Sequence, residues 1–310
     1  MGREIHGNPH LSHSHPAFLP LLPLHRCSRS HHPPVSRQRP LLTSSHSLEP
    51  PSLNTATPHS THGTVRPFRL DPVPRHVGLI MDGNGRWGQL HCGARTDGHQ
   101  RGVEALRQVV HASVQWGIAD LTVFAFSTEN WCRPASEVAF LMRLVTSALR
   151  AEMPAIHDSG IRLRFIGELE ALPPPMQACL AEAERSTCQH TNLNLNVALN
   201  YGGRREIAAV ARAIAHDVEA GQLCADDVDE SLFAAYLRRA HKAAHNDPEL
   251  IIRTGGEQRL SNFMLWHAAY SELYVTDVLW PDFTAADFAE ALREYARRQR
   301  RFGGVHSRPS

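Results

Sequence analysis

Long apolar runs are missing from this 310-residue sequence, and so is an excess of either charge. No segment approaches the ~20 consecutive apolar residues of a membrane-spanning helix, so a soluble chain with at most peripheral membrane contact is expected. Lys and Arg number 32 against 31 Asp and Glu, a formal net charge of +1. A chain this close to neutral has no general attraction for polyanions, and no nucleic-acid partner is expected. Closely paired cysteines are missing too. The six cysteines include no Cys-x-x-Cys, which argues against a zinc ribbon, a thioredoxin-type motif or a disulfide framework and for a reducing, cytoplasmic setting. Histidine is abundant at 21 residues, but about half of these fall in the first 66 positions without ligand-like spacing. Any strong phosphate binding must then come from local arginine clusters.

Composition changes abruptly near residue 67. The preceding stretch is rich in Ser, His and Pro, and Glu4 and Glu49 are its only acids. It buries too little apolar surface to offset its ordering entropy, so residues 1–66 are read as a disordered, dispensable tail. Its Arg and Ser content fits an organelle transit peptide, which would move the protein out of the cytoplasm; it fits equally an over-long predicted start. Residues 67–304 read as one folded domain and 305–310 as a disordered end.

Within that domain, apolar runs alternate with helical patterns. Runs at Val77–Met81, Leu121–Phe126, Ile161–Ile166, Leu193–Leu199, Leu250–Ile252, Phe263–Trp266 and Leu273–Val275 read as strands. Val103, Leu106, Val110 and Val114 recur at near-helical spacing. Pro134 suits a first helical position, and Val138, Leu141, Met142, Val145 and Leu149 continue one apolar stripe over 134–151. A last helix is expected over Ala285–Arg300. The alternation predicts an α/β fold, a single domain with a central, mostly parallel sheet flanked by helices.

Ligands of such sheets bind beyond the carboxyl ends of the strands, so the loops after each run are where chemistry is sought. The first reads Asp82-Gly83-Asn84-Gly85-Arg86-Trp87-Gly88, and its glycines satisfy G-x-G-x-x-G. Three details oppose a dinucleotide site. Asp82 would repel a bare pyrophosphate, Arg86 and Trp87 crowd the last two glycines, and no acidic residue ends a second strand about twenty positions on. A magnesium diphosphate suits the loop better. Glycine amides at a helix N-terminus approach phosphate oxygens, Arg86, Arg95 and His99 add donors, and Asp82 can hold Mg²⁺ against the phosphates. The bland reading of Asp82 is a helix cap. The second loop, Ser127-Thr128-Glu129-Asn130-Trp131-Cys132-Arg133, reads as a cap for the helix that follows. In the third, Arg253, Arg259 and Ser261 with Gly255-Gly256 form a second anion site, since arginine forks match phosphate oxygens; alone it would read as a surface turn. The stripe over 134–151, with Leu193, Leu195, Val197 and Leu199 as a floor, could wall an apolar cavity or simply fill the core.

The segment HVGLIMDGNGRW, with Arg95 and Gly98-His99, resembles the opening signature of the cis-prenyltransferases, the undecaprenyl diphosphate synthase kind, and the resemblance runs from about residue 71 to 304. It implies an isoprenyl transferase that condenses isopentenyl diphosphate onto an allylic diphosphate, farnesyl diphosphate foremost, with Mg²⁺ and with cis stereochemistry. It further implies that residues Gly83 to Trp87, Arg95 and His99 contact substrate, as do Ser127, Thr128, Glu129, Trp131 and Arg133. Asn130 would orient isopentenyl diphosphate and relay a proton. Arg253, Arg259, Leu260 and Ser261 would hold its diphosphate, with Gln258 standing where relatives often carry His. Glu272 would be a second metal carboxylate, although by itself it reads as a solvent-facing strand-edge acid. Leu193 would sit at the deep end of a tunnel for a product of about undecaprenyl size. A homodimer is implied, with Arg301 and Gly303 reaching across it; Arg297–Arg301 reads equally as a solvated helix end.

Asp226-Asp227-Val228-Asp229-Glu230 nearly matches the Asp-rich motif of trans-type prenyl synthases, but it occurs once and precedes a helical run, where it reads as a cap. A non-catalytic subunit of a two-component cis-prenyltransferase is the alternative, followed by a dinucleotide-binding oxidoreductase.

Overall fold

The computed structural model describes residues 72–241 and 247–299. The readings for the 1–66 tail, the 305–310 end and the Arg301–Gly303 segment fall outside the described residues. Six strands form one sheet in which all pairings are parallel: β1 (His76–Ile80), β2 (Asp120–Ser127), β3 (Ile161–Ile166), β4 (Leu193–Tyr201), β5 (Leu250–Arg253) and β6 (Glu272–Val275), in the order β3-β4-β2-β1-β5-β6. Every residue of β1 and β5 is buried, as expected where helices cover both faces of a sheet. The edge strand β6 instead alternates half-buried and exposed residues.

Seven helices are described: α1 (Asn84–His91), α2 (Arg95–Gln115), α3 (Ala135–Asp158), α4 (Pro174–Ser186), α5 (Gly203–Glu219), α6 (Glu230–His241) and α7 (Ala285–Arg297). Helix α3 runs a full two turns beyond the expected 151, because its apolar stripe continues through Met153 and Ile156. Pro134 stands just outside that helix as its N-cap residue, with extended ψ of 137°, not inside it as the first helical residue. Helix α7 stops at Arg297, short of Arg300, and Arg298 is extended so that its guanidinium reaches Glu272 and the Leu273 carbonyl, both at 2.9 Å. Asp229 accepts a hydrogen bond from the Leu232 amide at 2.7 Å, which makes the lone Asp-rich segment a cap of α6.

One expected strand is absent. Phe263–Trp266 forms turns, because Ser261, Asn262 and Met264 adopt φ of +49°, +67° and +45°, which breaks any extended run. Phe263 and Met264 are buried there against Ile80, Ile251 and Tyr201, so their apolar character serves a loop packed on the sheet. The chain leaves β1 toward β2 on one side and β5 toward β6 on the other, so β1 and β5 flank a switch point, where open α/β sheets bind ligands.

Candidate active site

Three strand-end loops converge at that switch point. Gly83 caps α1 at φ +110°, and a side chain there would meet Leu279 at about 3 Å. Gly85 leaves room for the Arg95 guanidinium, since a Cβ would lie 2.5 Å from it. Gly88 faces α2, where a Cβ would strike the Ala94 carbonyl and the Gly98 amide. The G-x-G-x-x-G spacing thus serves one turn, one arginine and one helix crossing.

These residues line a polar cavity of about 290 Å³, bounded by Asp82–Arg86, Arg95, His99, Asn130 and Arg133. Arginine density is balanced from beneath. Glu137, buried on α3, accepts from Arg95 Nε and Arg133 Nη1 at 3.2 Å each, and His99 Nε2 lies 3.6 Å away. Burial alone would raise the Glu137 pKa, but Arg95 and Arg133 hold it below the usual carboxylate range. Burial, and after it the Arg133 charge, pushes His99 down to about 4, so its imidazole is neutral at neutral pH. Asn84 Oδ1 and His99 Nε2, on two residues of this lining, are buried without a hydrogen-bond partner.

The third loop closes the site from the other side. Arg253, nearly buried, donates from Nη2 to Asp82 Oδ2 at 2.8 Å and from Nη1 to Ser261 Oγ at 2.7 Å and to the Arg259 carbonyl. Arg86 adds a longer contact to Asp82 at 3.4 Å. Gly255, at φ +81°, makes room for that guanidinium. Arg259 is largely exposed and pairs with Glu257, while Leu260 packs on the Phe263 cluster. The second loop joins through Asn262, which donates to Glu129 at 2.8 Å.

Below the polar cavity lies an apolar one of about 520 Å³ between α2, α3 and the sheet. Met81, Asn84, His99, Ala125 and Leu141 line both, so the two are continuous. Ala125 is the extra residue of a bulge in β2, a common device for re-aiming a strand beside a site. The sequence-expected wall is partly right. Leu141, Val145 and Leu149 line the cavity, whereas Val138 and Met142 are buried in the core. Leu195 and Val197 form floor, but Leu193 and Leu199 are fully buried outside the lining. Helix α2 supplies the opposite wall with Val103, Leu106 and Val110, from the stripe whose near-helical spacing marked this helix.

Residues 80–303 match the family described as "Putative undecaprenyl diphosphate synthase". The chain belongs to this prenyltransferase family. It is 48% identical over 237 residues to the isoprenyl transferase of Geobacillus kaustophilus (strain HTA426), across 76% of this chain and 91% of that protein. Among solved structures, lavandulyl diphosphate synthase from Lavandula x intermedia in complex with dimethylallyl diphosphate is similar at a TM-score of 0.72 and 37% identity, covering 75% of this chain and 99% of that one. A "probable undecaprenyl diphosphate synthase" from Campylobacter jejuni follows at 0.61 and 30%, covering 74% and 99%.

In this prenyltransferase several of the sequence-expected site residues stand outside the two cavities. Trp87 lines neither cavity; its indole donates to Asp282 at 2.7 Å and stacks on His91. Ser127, Thr128, Glu129 and Trp131 also stand outside both linings, although Asn130 and Arg133 are within the polar one. Asn130 Oδ1 accepts from the Ser127 amide at 3.1 Å, closing a capping box on the short 3₁₀ turn Thr128–Cys132. Trp131 donates to Asn200, whose φ of +48° aims it there, a partner that sequence did not single out. Glu272 pairs with Leu250, which itself faces the same sheet level as Val77, so Glu272 is level with the start of β1 while Asp82 follows its end. The offset along the strands is on the order of 15 Å, too far for one ion to bind both within one chain.

The neutral His99 gives a pH test of this geometry. A depressed histidine pKa contributes stability that is complete above about 6.5 and is lost as pH falls toward about 4. His99→Gln should therefore flatten the loss of unfolding free energy in that window, by up to about 3 kcal/mol relative to wild type. Parallel pH profiles for the two proteins would contradict a buried, neutral His99.

Proposed function

We propose that the chain condenses isopentenyl diphosphate units onto farnesyl diphosphate, with cis stereochemistry, to give a long polyprenyl diphosphate of about undecaprenyl size. One observation carries this reading: a cationic pocket opens directly into an apolar cavity between α2 and α3, matching a substrate with a diphosphate head and an isoprenoid tail. The head would lie on the amides of Gly83–Gly85 with Arg86 and Arg95, and the tail below Ala125 and Leu141.

As the allylic C–O bond loosens, negative charge grows on the departing diphosphate, and the amides and the two guanidiniums stabilise it there. The isopentenyl double bond attacks C1, one C–C bond forms as the C–O bond breaks, and a proton then leaves the new cation with pyrophosphate as the other product. Arg253, Arg259 and Ser261 would position the isopentenyl diphosphate for that attack. Asn130 lines the polar cavity with its Oδ1 held by the Ser127 amide, and it would orient isopentenyl diphosphate and relay a proton to phosphate. Among the described residues no cluster of three or more His, Cys, Asp or Glu could hold a metal alone. A single carboxylate still fits Mg²⁺, which takes one or two carboxylates plus substrate phosphate oxygens, and Asp82 at the pocket edge is that carboxylate. Mg²⁺ bound there would supply Lewis acidity toward the leaving diphosphate.

A homodimer is part of this reading. Tyr270, Leu273 and Val275 are exposed on and beside the edge strand β6, a row of apolar side chains that a second copy could cover. A second chain is also the route by which Glu272 could approach a phosphate site. Among the described residues, no helix is long and apolar enough to cross a membrane. The non-catalytic alternative is disfavoured because Asp82, Arg86, Arg95, Asn130, Arg253 and Glu272 are all present. Full-length protein incubated with Mg²⁺, farnesyl diphosphate and isopentenyl diphosphate should release pyrophosphate and long cis products. A purified chain that binds both substrates without turnover would support the non-catalytic subunit instead.

A further inference from the structure

The apolar cavity carries a charged pair in its wall. Arg107 on α2 and Glu152 on α3 both line it, amid mainly aliphatic neighbours. Arg107 reaches across with two nitrogens, Nε at 3.0 Å and Nη2 at 2.5 Å from the two Glu152 oxygens, the fork-on-carboxylate geometry. Glu104, one turn earlier on α2, holds the same guanidinium from its own helix. The Arg107 side chain is 50% exposed and that of Glu152 24%, so the pair lies on the solvent side of the cavity. Helices α2 and α3 otherwise meet sparsely, because the cavity separates them.

Its depth is informative. At 1.5 Å rise per residue, Arg107 stands about 12 Å beyond His99 along α2, and Glu152 about 16 Å beyond Leu141 along α3. His99 and Leu141 mark the junction with the polar pocket. A primer tail of a few isoprene units ends near this level, and every later unit must pass it.

We propose that the Arg107–Glu152 pair is a clasp across the slot between α2 and α3 and that it sets product length. The inference rests on the reading that the growing tail fills this cavity. Closed, the clasp confines the tail to the space beneath the slot, and elongation stops when that space is full. Parted, it opens a lateral exit through which an apolar tail can bulge into a micelle or bilayer, so that elongation continues. An exposed ion pair adds little to folding stability, so its removal should leave the fold intact.

The test uses the full-length chain with Mg²⁺, farnesyl diphosphate and isopentenyl diphosphate in detergent micelles, with products sized by mass spectrometry. Arg107→Gln, Glu152→Gln and the repulsive Glu152→Arg should each shift the dominant product upward by at least one isoprene unit. The exchange Arg107→Glu with Glu152→Arg should return it toward wild type. Ala148→Phe, which fills the cavity itself, serves as the control and should shorten the product. Unchanged lengths in the three single variants, with a shortened product from Ala148→Phe, would overturn the clasp and leave the cavity reading standing. Unchanged lengths in all of them would overturn both.

Discussion

Asp82→Asn should lower turnover by at least ~100-fold while leaving the melting temperature within about 4 °C of wild type. Asparagine is the informative replacement because of what the carboxylate touches. Asp82 accepts a 2.8 Å hydrogen bond from Arg253, whose side chain is only 6% exposed. Alanine would strand that buried guanidinium and mix a stability loss with the catalytic one. Asparagine keeps an acceptor at the same place and removes only the charge. If Asp82 works by holding Mg²⁺ on the leaving diphosphate, its contribution is greatest in the transition state, and kcat falls while primer binding survives on Gly83–Gly85, Arg86 and Arg95. If Asp82 were only a cap, asparagine, which caps a helix as well as aspartate, would leave both stability and turnover largely intact. Turnover, primer affinity and melting temperature on one variant separate the two.

The second large effect sorts the two anion sites. Arg95→Ala should raise the KM for the allylic primer about 10- to 100-fold and change that for isopentenyl diphosphate far less, the scale of one lost charged hydrogen bond. Arg259→Ala should show the opposite preference. Arg95 lines the pocket that opens into the apolar cavity, whereas Arg259 lies on the third loop and lines neither cavity. Arg259 is 60% exposed and its present partner is Glu257, so a substrate phosphate has only a solvent-screened ion pair to displace. Equal rises in both KM values for either variant would mean the two diphosphates do not divide between these clusters.

Much of this was legible in the sequence because the signals were periodic or local. Buried strands read as continuous apolar runs, and the loops after β1 and β5 carried their glycines and arginines in a few adjacent residues. What was missed depends on contacts between distant segments. Phe263–Trp266 looked like a strand because its residues are apolar, yet its fate was decided by left-handed residues at Ser261, Asn262 and Met264. Glu137 was overlooked because a lone glutamate on an apolar helix reads as surface. Its spacing of four from Arg133 was the available clue, but only folding brings Arg95 and His99 onto it. The Val103–Val110 stripe was legible as a helix but not as a cavity wall, since helical periodicity cannot distinguish a core face from one. Glu272 was placed by likeness to a family, and only the sheet register reveals its offset along the strands from Asp82.

The most direct test of the central claim is a crystal structure of this chain with an unreactive thio-analogue of farnesyl diphosphate. The account predicts the diphosphate within hydrogen-bond distance of the Gly83–Gly85 amides, Arg86 and Arg95, with the first isoprene unit beside Ala125 and Leu141 and the tail between α2 and α3. A diphosphate seated on Arg253 and Arg259, or a tail lying outside the α2–α3 cavity, would contradict it.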